Sequence, residues 1–169
     1  MKNAIVISLL LTLLSLNSCK EDVTDIYDIV YEVEFQATWS QENHPSAYPS
    51  DAHFSPLVGV SHRSNVFLFE EGTPASEGLR IVAETGATGT MEDELQRLVN
   101  QNLGLDFFTG SSFDSPGSDR VQFGVSTTYN TVTVVSMIAP SPDWFVAERI
   151  SLLDPNTLEW FDEVGVQVN

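Results

Sequence analysis

Residues 31–40 alternate without a break: Tyr31, Val33, Phe35, Ala37 and Trp39 are apolar, and Glu32, Glu34, Gln36, Thr38 and Ser40 between them are polar. A strand turns successive side chains to opposite faces, so this period of two predicts a half-buried strand with its apolar face inward. The paired carboxylates Glu32 and Glu34 then share the solvated face. Such a strand cannot stand alone. It needs a hydrogen-bonded neighbour and a second layer to cover its apolar side.

The remaining chain offers candidates for both. The stretch holding Pro45, Pro49 and Pro56 is rich in Ser and His and does not read as regular ladder, because proline cannot donate to it. Val66-Phe67-Leu68-Phe69 reads as a short buried strand. A helix is predicted after Thr73-Pro74, with Ala75, Leu79, Val82 and Ala83 apolar and Gly86 at its end. A second is predicted from Thr90, whose hydroxyl would cap free amides with Asp93 three residues on. Its stripe of Met91, Leu95, Leu98 and Val99 reads as a core face rather than a cofactor site.

Residues 104–120, with their glycines, prolines, serines and aspartates, read as a loop. Strands return at Val121–Val125 and Thr131–Ile138 around a turn at Tyr129-Asn130. Val146–Leu153 and Val164–Val168 are further strand candidates. Many short strands, turn-rich connections and two short helices predict a mostly β, antiparallel sandwich with no repeat and no second domain.

The N-terminus is of another kind. Lys2 is the single charge in residues 1–18, and Ala4 to Leu14 form an apolar run too short to span a membrane and suited to a secretory signal. The run ends in Leu16-Asn17-Ser18-Cys19, which resembles the bacterial lipobox, making Cys19 the lipidation site after cleavage. Cys19 is also the chain's one cysteine, so the folded part contains no disulfide and no thiol chemistry. Lys20-Glu21-Asp22 resembles the surface-export tag of some Gram-negative lipoproteins. The predicted organisation is a signal peptide at 1–18, a tether at 19–29 and one domain at 30–169. The predicted location is the bacterial cell envelope, at the outer membrane and facing outward.

Removing residues 1–18 takes Lys2 and no acid, leaving six basic residues against 24 acidic ones and a formal net charge of −18 in place of −17. A surface this negative repels nucleic acid and anionic lipid heads. Nucleic acid is excluded as a partner. Acidity alone does not establish a calcium site, because surface acids are ordinarily just solvated.

Two stretches are more particular. One is Trp39-Ser40, His44-Pro45, Tyr48-Pro49, His53-Phe54-Ser55-Pro56-Leu57-Val58-Gly59 and Ser61-His62. The other is Ser136-Met137-Ile138-Ala139-Pro140-Ser141-Pro142-Asp143-Trp144-Phe145-Val146. Together they resemble the spondin domain, the N-terminal module of F-spondin and mindin that also occurs in bacterial lipoproteins. Ala75-Ser76-Glu77-Gly78-Leu79 and Val82-Ala83-Glu84-Thr85-Gly86 resemble that family's helix. The likeness covers about residues 30–169. It implies a C2-like antiparallel β-sandwich, an adhesive role toward an extracellular matrix or cell-surface partner (protein or glycan), no enzymatic activity, and a bound calcium with Asp143 as a ligand.

The family completes that metal site with acids from a later Asp-rich loop. The chain ends at Asn169, where such a loop would begin, and Val121-Gln122-Phe123-Gly124 adds no acid. Calcium takes six to eight oxygens, so the site is expected to be incomplete and the domain C-terminally short. An aspartate between proline and tryptophan is also an ordinary turn former. Trp144 and Phe145 are expected to cover one end of the sandwich.

His44, His53 and His62 fall at intervals of nine, which matches no ordinary zinc spacing, and Ser61-His62 reads as structural. Serines and histidines occur without a Gly-x-Ser-x-Gly elbow or other nucleophile context. The rival to a protein-binding domain is a β-sandwich that binds or cleaves carbohydrate. An exposed row of aromatic rings would favour it; a compact aromatic core would count against it.

Overall fold

The computed structural model describes residues 26–140 and 143–167. The signal, Cys19, Lys20-Glu21-Asp22, Ser141-Pro142 and Val168 lie outside the described residues. The elements in chain order are β1 (Ile29–Ala37), β2 (His53–Phe54), β3 (Val58–His62), α1 (Glu77–Thr85), α2 (Gly89–Asn100), β4 (Gly104–Thr109), β5 (Phe113–Asp114), β6 (Gly117–Val125), β7 (Thr131–Ala139) and β8 (Phe145–Ser151). All strand pairs are antiparallel. The mostly β, sandwich-like class expected from the sequence is the one observed.

The layers follow from which faces must leave water. A six-stranded sheet runs β4-β3-β7-β2-β5, with β8 on the other edge of β7, and a two-stranded sheet pairs β1 with β6. The alternation in β1 is as predicted: Tyr31, Val33 and Phe35 are half-buried and Glu32, Glu34 and Gln36 are exposed. Between the sheets pack Leu57, Phe108, Phe123, Val125, Val132 and Leu152. On the far side of the larger sheet α1 and α2 close a second core, where Leu79, Val82, Met91 and Leu95 meet Val58, Val60, Val135 and Met137.

α1 starts as a helix should, with the Ser76 hydroxyl accepting from the Leu79 amide at 3.2 Å, and ends on Gly86 at φ +71°. The second helix begins earlier than expected. Thr88 holds the cap position, Gly89 opens the helix, and the Thr88 hydroxyl donates to Glu92 at 2.7 Å instead of capping an amide. Glu94 ties the two helices together, accepting from Ser76 at 2.6 Å and from the Gly78 amide at 2.9 Å.

Several sequence expectations are overturned. Val66–Phe69 is no strand; it is irregular, and Phe67 is largely exposed. The segment 104–120 is no loop, since β4, β5 and the first half of β6 lie in it. The proline-rich stretch contains β2 and β3, and β3 is buried along its whole length. Proline interrupts the ladder rather than excluding it: Phe54 pairs Ile138 while Val58 pairs Val135, so the run along β7 loses one register step around Pro56. Ser55 bridges the break, its hydroxyl accepting from the Met137 amide at 2.8 Å and its carbonyl accepting from Ser136 Oγ at 2.9 Å. The turn after β6 is centred on Thr127-Thr128, with Ser126 bridged to Tyr129, and 164–167 is not a strand. The fold also reaches into the predicted tether: Tyr27 packs so closely on Gly124 that a Cβ there would lie 2.1 Å from its ring.

β3 is packed tightly enough to constrain composition. A Cβ on Gly59 would lie 2.6 Å from the Phe108 ring and 2.8 Å from the Thr133 carbonyl oxygen. The backbone oxygen cannot step aside without disturbing the β3–β7 ladder. Gly59→Ala is therefore expected to destabilise by about 1–3 kcal/mol, the usual cost of overpacking a core, read as a lower urea midpoint with an unchanged slope. Wild-type stability would contradict this packing.

Candidate functional site

The strand registers divide the sandwich into two ends. At one end β1 begins at Ile29 opposite Val125, and Thr131 pairs with both His62 and Ser151. At the other, Ala37 lies opposite Gly117, Ala139 opposite His53 and Met137 opposite Phe145. Aromatic contacts line the interface between the sheets, those of Phe35 crossing it and Tyr31–Phe123 lying within the smaller sheet. Phe35 meets Phe54 and Phe113 edge-on at 5.0 and 5.3 Å, while Tyr31 lies 6.2 Å from Phe123 and 6.3 Å from Trp160. The chain enters at the first end, through Ile26 to Asp28.

Both particular sequence stretches come together at the second end. The loop between β1 and β2 is organised by Trp39, whose ring meets Tyr48 at 5.5 Å and His44 at 6.3 Å. Ser115 clamps it: its hydroxyl donates to the Trp39 carbonyl at 2.7 Å, its amide donates to Ala52 at 3.0 Å, and its carbonyl accepts from the Tyr48 hydroxyl. Beside this loop lies the turn joining β7 and β8. Asp143 has φ +102°, a region L-residues avoid at a cost of about 1–3 kcal/mol. Its amide donates to the Ala83 carbonyl at 3.2 Å, and the Ile138 amide donates to the Trp144 carbonyl at 3.0 Å. Strain held by hydrogen bonds on both sides is a mark of a positioned turn.

That turn corrects one expectation. Trp144 does not cover the end of the sandwich, for it is 65% exposed, and Phe145 beside it is 36% exposed. Phe145 is backed by Phe69, 6.4 Å away. Farther along β8, Arg149 sits over the largely exposed Phe67 ring at 4.5 Å. Phe67 and Phe69 belong to the segment read as a buried strand, so the sequence reading missed them as surface. The surviving signal is their setting, four apolar residues between Ser64-Asn65 and Glu70-Glu71-Gly72.

The three histidines are dispersed. His44 is exposed against Trp39, and His53 Nδ1 pairs with the Asp51 carbonyl at 2.6 Å. His62 is fully buried at the opposite end, with Nε2 2.7 Å from Thr133 Oγ1 and Nδ1 2.8 Å from the Arg63 carbonyl. Its neighbour Ser61 donates to the Gly124 carbonyl at 2.7 Å, so Ser61-His62 is structural as expected. Among the described residues no group of three His, Cys, Asp or Glu side chains gathers to hold a metal. Asp143 is exposed, and no such group forms around it among the described residues. This donor set does not fit calcium, which requires six to eight oxygens.

An antiparallel sandwich with an exposed, strained aromatic turn at one end and its chain entry at the other defines a scaffold with presented loops. The family model for the spondin N-terminal domain, Spondin_N, matches residues 29–169, and the chain belongs to that family. Human Spondin-1 is 31% identical over 140 residues, covering 79% of this chain and 17% of that protein. Human Spondin-2 is 30% identical over 144 residues, covering 82% of this chain and 43% of that protein. The chain thus spans less than half the length of these relatives.

Burial drives the His62 pKa below its ordinary value, opposed by the Arg63 carbonyl, with the Arg149 charge lowering it further. On acidification the unfolded chain takes up this proton first, so stability is present above about pH 6.5 and is lost as pH falls below it. Melting temperature should fall between pH 7.5 and 5.5. His62→Gln should start lower yet lose less across the same range. Equal slopes in the two proteins would contradict a neutral, buried His62.

Proposed function

We propose that the protein is a lipid-anchored surface adhesin of the bacterial cell envelope. In this reading Cys19 bears the lipid in the outer membrane, and the spondin domain binds an extracellular matrix or cell-surface partner without catalysing a reaction. The observation that carries the reading is the opposition of the two ends. The tether joins at Ile26, while Trp144, Phe145 and the Trp39–Tyr48 loop lie at the far end of strands about 27 Å long. A domain held this way points its strained aromatic turn away from the bilayer. Tryptophan, with tyrosine and arginine, is enriched among the side chains that dominate binding interfaces. Calcium is not assigned a part, because no group of three His, Cys, Asp or Glu side chains gathers among the described residues.

A second reading, carbohydrate binding, is favoured by the exposed rings of Trp144 and Phe67, which could stack on sugar faces. Against it stands the packing of Phe35, Phe54 and Phe113 into one another, which places much of the aromatic content in the core.

Mass spectrometry of the mature protein tests the anchor. A diacylated Cys19 is expected, and Cys19→Ala should leave the protein unprocessed or released from membranes; an unmodified N-terminus elsewhere rejects the anchor. Binding of residues 20–169 to immobilised matrix proteins and to a glycan panel tests the domain. Trp144→Ala should reduce binding at least tenfold, about 1.4 kcal/mol or more, with melting temperature unchanged. Thr128→Ala at the opposite end should have no effect. A response to glycans alone selects the second reading, and equal loss from both variants rejects the far end as the contact.

A further inference from the structure

Two residues at the end of the predicted tether are built into the sandwich. Tyr27 lays its ring on the backbone of Gly124 in β6, where a Cβ would lie 2.1 Å from it. The Asp106 carboxylate accepts from the Gly124 amide at 2.8 Å and stands beside the Tyr27 hydroxyl. Burial first, and then this carboxylate, raise the Tyr27 pKa above its ordinary value. Ser61 donates to the Gly124 carbonyl at 2.7 Å, so the seat under Tyr27 is fixed from β3 and β4 as well as β6. Asp28 grips the next step. Its amide donates to the Val125 carbonyl at 2.8 Å, and its carboxylate accepts from the Thr127 amide at 2.7 Å. Ile29 to Ala37 then pair with β6 without a break in register.

Residues 27–37 are therefore one continuous run attached to β6. The run leads back toward Cys19 at the chain-entry end, whereas Trp144 stands at the other end. A pull between those points is directed along the strands. Antiparallel ladder bonds lie across the strands, so such a pull loads them sideways. An extended chain scarcely lengthens. The Tyr27 seat, the two Asp28 bonds and the nine register pairs of β1 must then give way together. A pull that separates the start of β1 from the end of β6 meets the same contacts one at a time.

We infer that the domain is built to bear tension: a load on Cys19, opposed by a partner at the far end, shears β1 along β6, and Tyr27 and Asp28 latch the tether so that the whole ladder takes the load at once. The direction of the load rests on the proposed reading of a lipid at Cys19 and a partner at Trp144. The resistance belongs to the fold and needs neither. A slack connector requires no seated aromatic ring and no glycine left bare to receive it. Here both are present, and the seat is braced by side chains from two further strands.

Single-molecule pulling of residues 19–169 between thiol-linked handles tests this. Handles on Cys19 and Asp143→Cys should give a rupture force about twofold or more above that with handles on Cys19 and Thr128→Cys, since forced unfolding reads the barrier along the direction pulled. Tyr27→Ala should lower the first of these forces. In residues 20–169 it should leave unchanged the force between Ser50→Cys and Asn100→Cys, a path through β2, β3 and the helices that bypasses the latch. Tyr27→Phe, which keeps the ring on Gly124, should retain most of the first force and guards against a misfolded alanine variant. Equal forces in the two Cys19 geometries would overturn the shear. Equal weakening of both paths by Tyr27→Ala, or weakening of neither, would overturn the latch. These forces are read without lipid or partner, so they stand or fall apart from the binding measurement on Trp144→Ala.

Discussion

Strand β7 is hydrogen-bonded along both edges, and the rest of the molecule depends on that. One edge carries β8 over seven residue pairs; the other carries β3 and then β2. A strand buried on both faces and paired on both edges has no freedom of register, so it sets the height of every neighbour. The near-continuous apolar run Thr131–Ala139 is the composition such a position demands. The two helices pack on one of its faces through Val135 and Met137, and the smaller sheet covers the other near Val132. Ser55 matters for the same reason. It keeps the proline-interrupted run attached to β7 by giving side-chain bonds where ladder bonds stop.

This arrangement explains how a chain without disulfides holds two irregular loops in place. The Trp39–Tyr48 loop is clamped through Ser115, and Asp143 and Trp144 are held through the Ala83 and Trp144 carbonyls. Both depend on buried backbone groups finding partners, each bond contributing about 1 kcal/mol and each unmet group costing more. The ion pairs contribute little beside this. Arg120 reaches Glu34 at 3.1 Å and Glu32 at 3.5 Å on an exposed face, where such pairs are worth at most about 1 kcal/mol.

What the sequence discloses follows the same physics. β1 is legible because one face meets water, so Glu32, Glu34 and Gln36 punctuate its apolar residues. α1 is legible because its ends carry Ser76 and Gly86. β3 is not, because burial on both faces removes alternation, and Val58-Gly59-Val60-Ser61-His62 holds a glycine for close packing and two polar residues whose bonds are satisfied only in three dimensions. β4 is hidden similarly by Asp106, whose carboxylate accepts from the Gly124 amide at 2.8 Å across the sheets. The end site is half legible. The particular residues around Trp39 and Pro140 stand out in the chain, but their meeting at one end needs the register of β1, β2 and β7. Exposure of Trp144 is set by the turn geometry at Asp143, which residue types do not report.

The central claim is that chain entry and the strained aromatic turn occupy opposite ends of the sandwich. Because Cys19 is the one cysteine, residues 20–169 can carry nitroxide labels at Thr128→Cys and Asp143→Cys alone. Double electron–electron resonance between them measures the separation of the two ends directly. The eight rises of β7 at about 3.4 Å each give about 27 Å, and because both labels sit just beyond the strand ends a distance distribution centred at about 30 Å is expected. A distribution centred below about 20 Å would place the two ends together and contradict the account.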